Sequence, residues 1–590
     1  MMENLKRIIA KHNVASESIA AFLITVSIIQ QFNMTKSRQY LLAILVFVAV
    51  FVIVHFGVLN YSKRRLRYSL FYCVPFGLAF WLGQKVVYRS MDIVDLVVVD
   101  IVLVLALIAL FTLMSICVLG FIDRKSYISD RIKKNKKSRW WVFSLIILLC
   151  YMPLFLAFFP GIVSNDSAVQ LSQAVGEGGW SNWHPVLHTL FVAIPVNIGI
   201  KIFGGDLTAG IALSTLLQML ILVVIFGYVV KWMIELTQKK WIGYVLLVFF
   251  AICPIVACYA VTMWKDVMFS SVFLLLFIKI YDLVRQKKRE ELLQLSDIWL
   301  ILLLVLITGF LRNGGILIVV MFLIAMWIYY KDSWKLILTG FGGVIMIMIV
   351  IQGPIYGALN IISSPLMESL SVPAQQFAYV AANGKLDDEL RGELIKYADV
   401  DCLASNYSPM NADPAKNCFN FKAVDENKID FLLLWTKTLP RHLSDYMKSY
   451  LLHTYAYWYI QGDVWALDFG HSHDEMWMKT DYTDMSLIGD GLKNAITKIE
   501  EGSTVVVWVG WMNNVGIMSW SICYALMVFM YKKYYAMLVP MSGILIYMFS
   551  LLIASPISWM FRYVYSLLLV LPTLIIICFI NNKNLKGEKK

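Results

Sequence analysis

Fourteen apolar stretches, most of them close to twenty residues long, constrain this chain more than any other feature. They fall at about 15–32, 40–59, 68–88, 96–119, 140–159, 207–230, 241–260, 267–284, 298–311, 315–330, 336–357, 504–530, 536–554 and 564–580. A helix needs about 20 apolar residues to cross a bilayer. Within lipid its backbone must be satisfied internally, so such a chain can only be a bundle of membrane helices. Composition agrees, with 59% hydrophobic and 15% charged residues and a mean hydropathy of +0.70. The net charge of +12 does not point to nucleic acid, because its concentrated part lies in short connectors between apolar stretches. The nine cysteines fall mostly inside apolar segments and read as small buried hydrophobes. No cleavable signal peptide is expected, since no small-residue cleavage site follows the first apolar stretch.

One more apolar piece, 188–203, decides the topology. It contains Pro195 and Lys201, and its rise of about 24 Å falls short of a hydrocarbon core of about 30 Å. The basic connectors are Lys63 to Arg67, Arg131 to Arg139, Lys239-Lys240, Arg285 to Arg289, Lys331 to Lys335 and Lys532-Lys533. All six lie on the cytoplasmic side only if 188–203 stays in the interface and 298–330 splits at Leu311-Arg312-Asn313-Gly314-Gly315. The expected protein is therefore an α-helical polytopic membrane protein of about 14 spans, with both termini cytoplasmic. Residues 1–139 form accessory helices, 140–357 a core with an outer loop at 160–206, 358–503 an external, mostly helical α(+β) domain, and 504–590 the C-terminal helices. Cys402 and Cys418, the two cysteines of the external stretch, could pair there.

The candidate chemistry gathers on the outer face. Asp166 sits among Ser164, Asn165 and Ser167 in a polar island. A carboxylate there can act as a general base or simply cap the helix beginning near Ser167. His184 and His188, at i and i+4, suit metal ligation or phosphate hydrogen bonding, and a divalent cation is left open. Lys265 can snorkel or bind phosphate, and Asp266 can pair with it or serve as a second acid. Arg312 and Asn313 stand in a glycine turn whose amides could cradle phosphate. Arg562 beside Tyr563 is another phosphate candidate. Phe469 to Glu475, with His471, His473, Asp474 and Glu475, reads as a metal or acceptor contact or a solvated loop. Tyr455 to Tyr459 reads as a sugar platform or an interfacial belt.

The run PGIVSNDSAVQLSQ, the HPVLHT segment, WKD and LRNGG together resemble the GT-C superfamily of polyprenyl-phosphate-sugar-dependent glycosyltransferases. That superfamily includes the protein O-mannosyltransferases and the lipid A aminoarabinose transferase, and the closest likeness is to a branch common in Gram-positive genomes. The likeness covers about residues 140–330, and Ser555-Pro556 to Phe561-Arg562-Tyr563 resembles the last outer loop of several members. The resemblance implies a GT-C-like fold with Asp166 as the catalytic acid or base of the first outer loop. It implies a polyprenyl-phosphate sugar donor, a cell-envelope glycan or protein acceptor, and a surrounding lipid bilayer. Two departures stand out: the usual acidic pair is reduced to Asp166, and four spans precede the core. A transporter or flippase, or a polymerase of lipid-linked saccharides, is the competing reading. Charges clustered at one face and no visible repeat favour the enzyme.

Overall fold

The structure is a computed structural model that describes residues 14–31, 39–88, 98–125, 127–128, 139–460, 479–501 and 514–581. The chain is an α-helical membrane protein. Among the described residues nine helices are long and apolar enough to cross a bilayer, and the bent pair Lys240–Ile252 and Pro254–Ala260 makes a tenth candidate. A helix lies in each of the fourteen expected apolar stretches, several of them shorter than a full crossing.

The breaks have local causes. Pro254 offers no N–H and holds Cys253 extended, so the chain bends by 56° there. The helices Leu295–Phe310 and Ile316–Tyr329 are separate, as the sequence suggests, and Gly314 takes the left-handed conformation (φ +74°) in the turn between them.

Helices Val14–Gln31, Gln39–Leu59, Lys63–Tyr88 and Val98–Lys125 lie together, three of them sharing a small core that includes Ala21, Val50 and Leu110. They join the rest of the chain through helix Leu443–Trp458, through Val515–Lys532, and through a two-residue parallel strand pair, Tyr127–Ile128 with Ile580–Asn581. The main core runs through the helices between 140 and 350 and those after 514. A separate core around Phe377, Leu394, Leu403 and Phe431 organises short helices between 366 and 438. That unit contains isolated bridges but no strand among its described residues, and Cys402 and Cys418 are joined in a disulfide.

In the Tyr455–Tyr459 run, Tyr457 and Tyr459 face inward while Tyr455 and Trp458 are half-buried. Tyr457 is buried and bonds Ser555 Oγ at 2.5 Å, while Tyr459 packs on Phe80, Leu103 and Leu107 of the N-terminal helices. The Phe469–Glu475 cluster lies outside the described residues.

Candidate functional site

Two chain segments 100 residues apart are laid side by side by backbone bonds. Ile162 N–H donates to Val261 O (2.9 Å), and Met263 N–H donates to Ile162 O (3.0 Å). Ser167 Oγ donates to Met263 O, and the Trp264 indole donates to Ser164 Oγ. Gln218, inside the helix Leu207–Thr237, points its amide at the neighbouring turn and donates to Ala260 O (3.0 Å) and Thr262 O (2.8 Å). This register brings Asp166 and Lys265, each near the start of a helix, to 3.0 Å.

Asp166 is not an N-cap. Ser164 holds that position, and the Asp166 carboxylate faces cations instead. One oxygen meets Arg562 Nη1 at 2.9 Å and Lys265 Nζ at 3.0 Å, and the other meets Arg562 Nη2 at 3.3 Å. Burial would raise its pKa, but Arg562, Lys265 and His184 hold it well below the usual carboxylate range. Lys265 therefore does not snorkel; its ammonium is shared between Asp166 and His184 Nδ1 (2.8 Å).

The two histidines part company. The helix begins at Val186, so His184 precedes it and joins the charged cluster, while His188 is buried and bonds Gln170 at 3.0 Å. No group of three metal-ligating residues occurs among the described residues.

Asp266 pairs with Arg312 (3.4 Å) rather than with Lys265. The Arg312 guanidinium also lies over the rings of Tyr547 (4.6 Å) and Phe269 (5.4 Å). The glycine turn is no amide cradle at Gly315 and Leu317, whose N–H groups donate within the turn to Arg312 O and Gly314 O. Asn313 donates to Trp183 O (2.7 Å), tying this turn to the His184 segment. Arg562 lies over Trp264 and Tyr563 at 5.3 and 5.1 Å.

These groups line one cavity of about 460 Å³. Of the expected residues, Asp166, His184, Lys265, Asp266, Arg312, Asn313, Arg562 and Tyr563 border it. Asn165 is exposed on its helix and His188 is turned away, and neither lines it. In the far wall, Ser555 and Pro556 belong to the last-loop segment marked in the sequence, whereas Glu368 and Asp413 were not anticipated. Both carboxylates pair with the buried Lys416 (2.8 and 2.7 Å). Ala412 N–H donates to Pro556 O (2.7 Å), so the small helical unit holds the loop that carries Arg562. A lone Gln or Tyr in an apolar run, as at Gln218 and Tyr547, was the available signal for the supporting residues.

An apolar groove of about 560 Å³ lies alongside, lined by Val186, Leu190, Phe310, Ile351 and Ile355 among others. Val186 is two residues past His184, and Phe310 is two before Arg312, so the groove and the charged cavity are neighbours.

Fold and site thus define a multi-pass helical membrane protein with a charged cavity beside an apolar groove. The chain belongs to DUF6020, a family of unknown function whose model matches residues 177–590 and so takes in every lining residue named above except Asp166. No curated protein and no solved structure matches it.

Proposed function

We propose that the protein is a membrane glycosyltransferase that moves a sugar from a polyprenyl-phosphate donor to an extracytoplasmic cell-envelope acceptor. The observation that carries this reading is the gathering of Lys265, Arg312 and Arg562 with Asp166 in one cavity beside an apolar groove. An amphiphile with a phosphate head and an isoprenoid tail has that shape and charge.

In this reading Lys265, Arg312 and Arg562 hold the phosphate, and the groove takes the start of the tail. The acceptor hydroxyl oxygen bonds to the anomeric carbon while the bond from that carbon to the phosphate oxygen breaks. The bonding pair leaves with the phosphate, and the hydroxyl proton passes to Asp166. At rest Asp166 is a weak base because Lys265 and Arg562 neutralise it. A phosphate that draws those cations to itself returns basicity to the carboxylate as the donor binds. Asp266 is occupied by Arg312 and acts as its anchor.

The same proposal places fourteen crossings in the bilayer, both termini in the cytoplasm, and the cavity on the outer face. In it, helix Val186–Ile202 lies in the interface. Val192, Val196 and Gly199 pack on Leu207, Gly210 and Ile211 at the start of the next helix, while Leu190, Ile194, Ile198 and Ile202 form an exposed apolar stripe. That stripe faces lipid, and it is the helix's length, seventeen residues or about 26 Å, that falls short of a core of about 30 Å.

The test is comparative mass spectrometry of envelope glycans from cells with and without the gene, complemented by the wild type or by Asp166→Asn. Loss of one sugar substituent, restored only by the wild type, is expected. Loss of the substituent accompanied by lipid-linked saccharide retained on the cytoplasmic side would instead establish the flippase reading.

A further inference from the structure

His184 sits where its two ring nitrogens have different fates. Nδ1 lies 2.8 Å from Lys265 Nζ, and Lys265 is at the same time 3.0 Å from the Asp166 carboxylate. An ammonium has three donors and no acceptor, so the short contact makes Nδ1 the acceptor and puts the ring proton on Nε2. The ring is largely buried and borders the cavity. The chain leaves it little freedom, since Pro185 follows it, Trp183 O receives the Asn313 amide, and Asn182 N–H donates to Ile362 O (2.7 Å).

We propose that His184 is a hydrogen-bond donor of fixed tautomer, whose Nε2–H binds an oxygen of a lipid phosphate head group in the cavity. The proposal rests on the lipid-phosphate reading above and assigns a role that reading leaves open. It makes His184 neither a metal ligand nor a proton carrier. The neutral ring adds a directional contact to a site whose cations supply charge. It also avoids a third positive charge packed against Lys265 and Arg562. Protonation at Nδ1 would replace the acceptor of the Lys265 bond with a donor, and burial and the neighbouring Lys265 accordingly hold the His184 pKa down, to about 3. The charged groups facing it are Asp166 from the first outer segment, Lys265 from the helix it starts, and Arg562 from the last loop.

Two substitutions separate the nitrogens. In His184→Gln the amide nitrogen can stand near Nε2 and donate. In His184→Asn the amide oxygen can replace Nδ1 for Lys265, but nothing reaches the Nε2 position. The probe is dodecyl methyl phosphate, a diester with no ionisation between pH 5 and 8, whose binding to the purified full-length protein in detergent is measured by calorimetry. Wild type should bind with an affinity flat from pH 5.5 to 8. His184→Gln should stay within about threefold of it, and His184→Asn should lose about tenfold, the scale of one hydrogen bond to a charged group.

Equal binding by wild type and His184→Asn would overturn the His184 assignment while leaving the lipid-phosphate reading intact. Failure of the wild type to bind at all would overturn both. If the variants do not elute as folded protein, the wild-type profile decides. A tenfold tightening below pH 6.5 would show a protonated, charged imidazole and sink the proposal, whereas a flat profile supports it.

Discussion

At the scale of single residues, Asp166 has two duties that substitution can separate. As the ion-pair partner of Lys265 and Arg562 it stabilises the fold, and as the proposed base it carries the reaction. Asp166→Asn keeps the shape but strands two cations, so melting should show a loss of about 3 kcal/mol, the low end for breaking a buried pair, because the carboxylate side chain keeps 26% of its surface exposed. Transfer activity should fall by about 10²–10⁴, far beyond that stability loss. The pH dependence has a definite sign. Because the folded-state pKa lies below the ordinary carboxylate value, the pairing contributes fully above about pH 4 and is lost as pH falls through the depressed pKa. The stability gap between wild type and Asp166→Asn should therefore narrow on acidification, and a gap that widened would contradict the ion-pair assignment. Arg312 offers a parallel case. Arg312→Ala should cut donor use severely and destabilise by stranding the buried Asp266. Arg312→Lys should recover the thermal stability but little of the activity, since an ammonium neither forks nor spreads over the rings of Phe269 and Tyr547. Wild-type turnover by the alanine variant would move the phosphate contact to Arg562 and Lys265.

At the scale of elements, helix Val186–Ile202 fixes the distance between groove and cavity, because it follows His184 directly and its first turns line the groove. Its position depends on backbone contact. A Cβ on Gly199 would lie 2.6 Å from Gly210 Cα, and one on Gly210 would lie 2.7 Å from Val196 O. Neither neighbour is a side chain that can swing aside. Gly199→Ala should cost about 1–3 kcal/mol as overpacking. It should also weaken binding of a lipid phosphate by shifting His184, whereas a glycine with open surroundings such as Gly342 should accept alanine without effect on either. Thermal melts and probe binding on the same samples check both halves. The contact was hidden in the sequence, where neither glycine belongs to a motif.

For the whole molecule, the proposed topology is the claim on which the outer-face site depends. Single cysteines introduced on a background without the native thiols should be labelled by an impermeant maleimide within 375–455 and protected at 239. External labelling at position 239 would mean that Val186–Ile202 crosses the bilayer, and would place the later helices in the opposite sense. The small helical unit contributes to the site from a distance, through Glu368 and Asp413 in the cavity wall and through the bond from Ala412 to Pro556.

Hydropathy marked the helices and the membrane class, because a lipid-facing backbone has few solutions and each stretch declares itself locally. The charge of the connectors marked the break near Gly314, whereas 241–260 read as one span and its bend at Pro254 emerged only in the structure. The candidate residues were also visible as polar islands, and eight of the ten line one cavity. Pairing was not visible. Whether Asp166 capped a helix or met cations, whether Asp266 joined Lys265 or Arg312, and whether His188 stood beside His184 depended on a register set by bonds between residues 162 and 261–263. They depended also on where one helix began, at Val186 rather than at His184. Charge partners are chosen by distance in space, and the tertiary fold alone sets that distance.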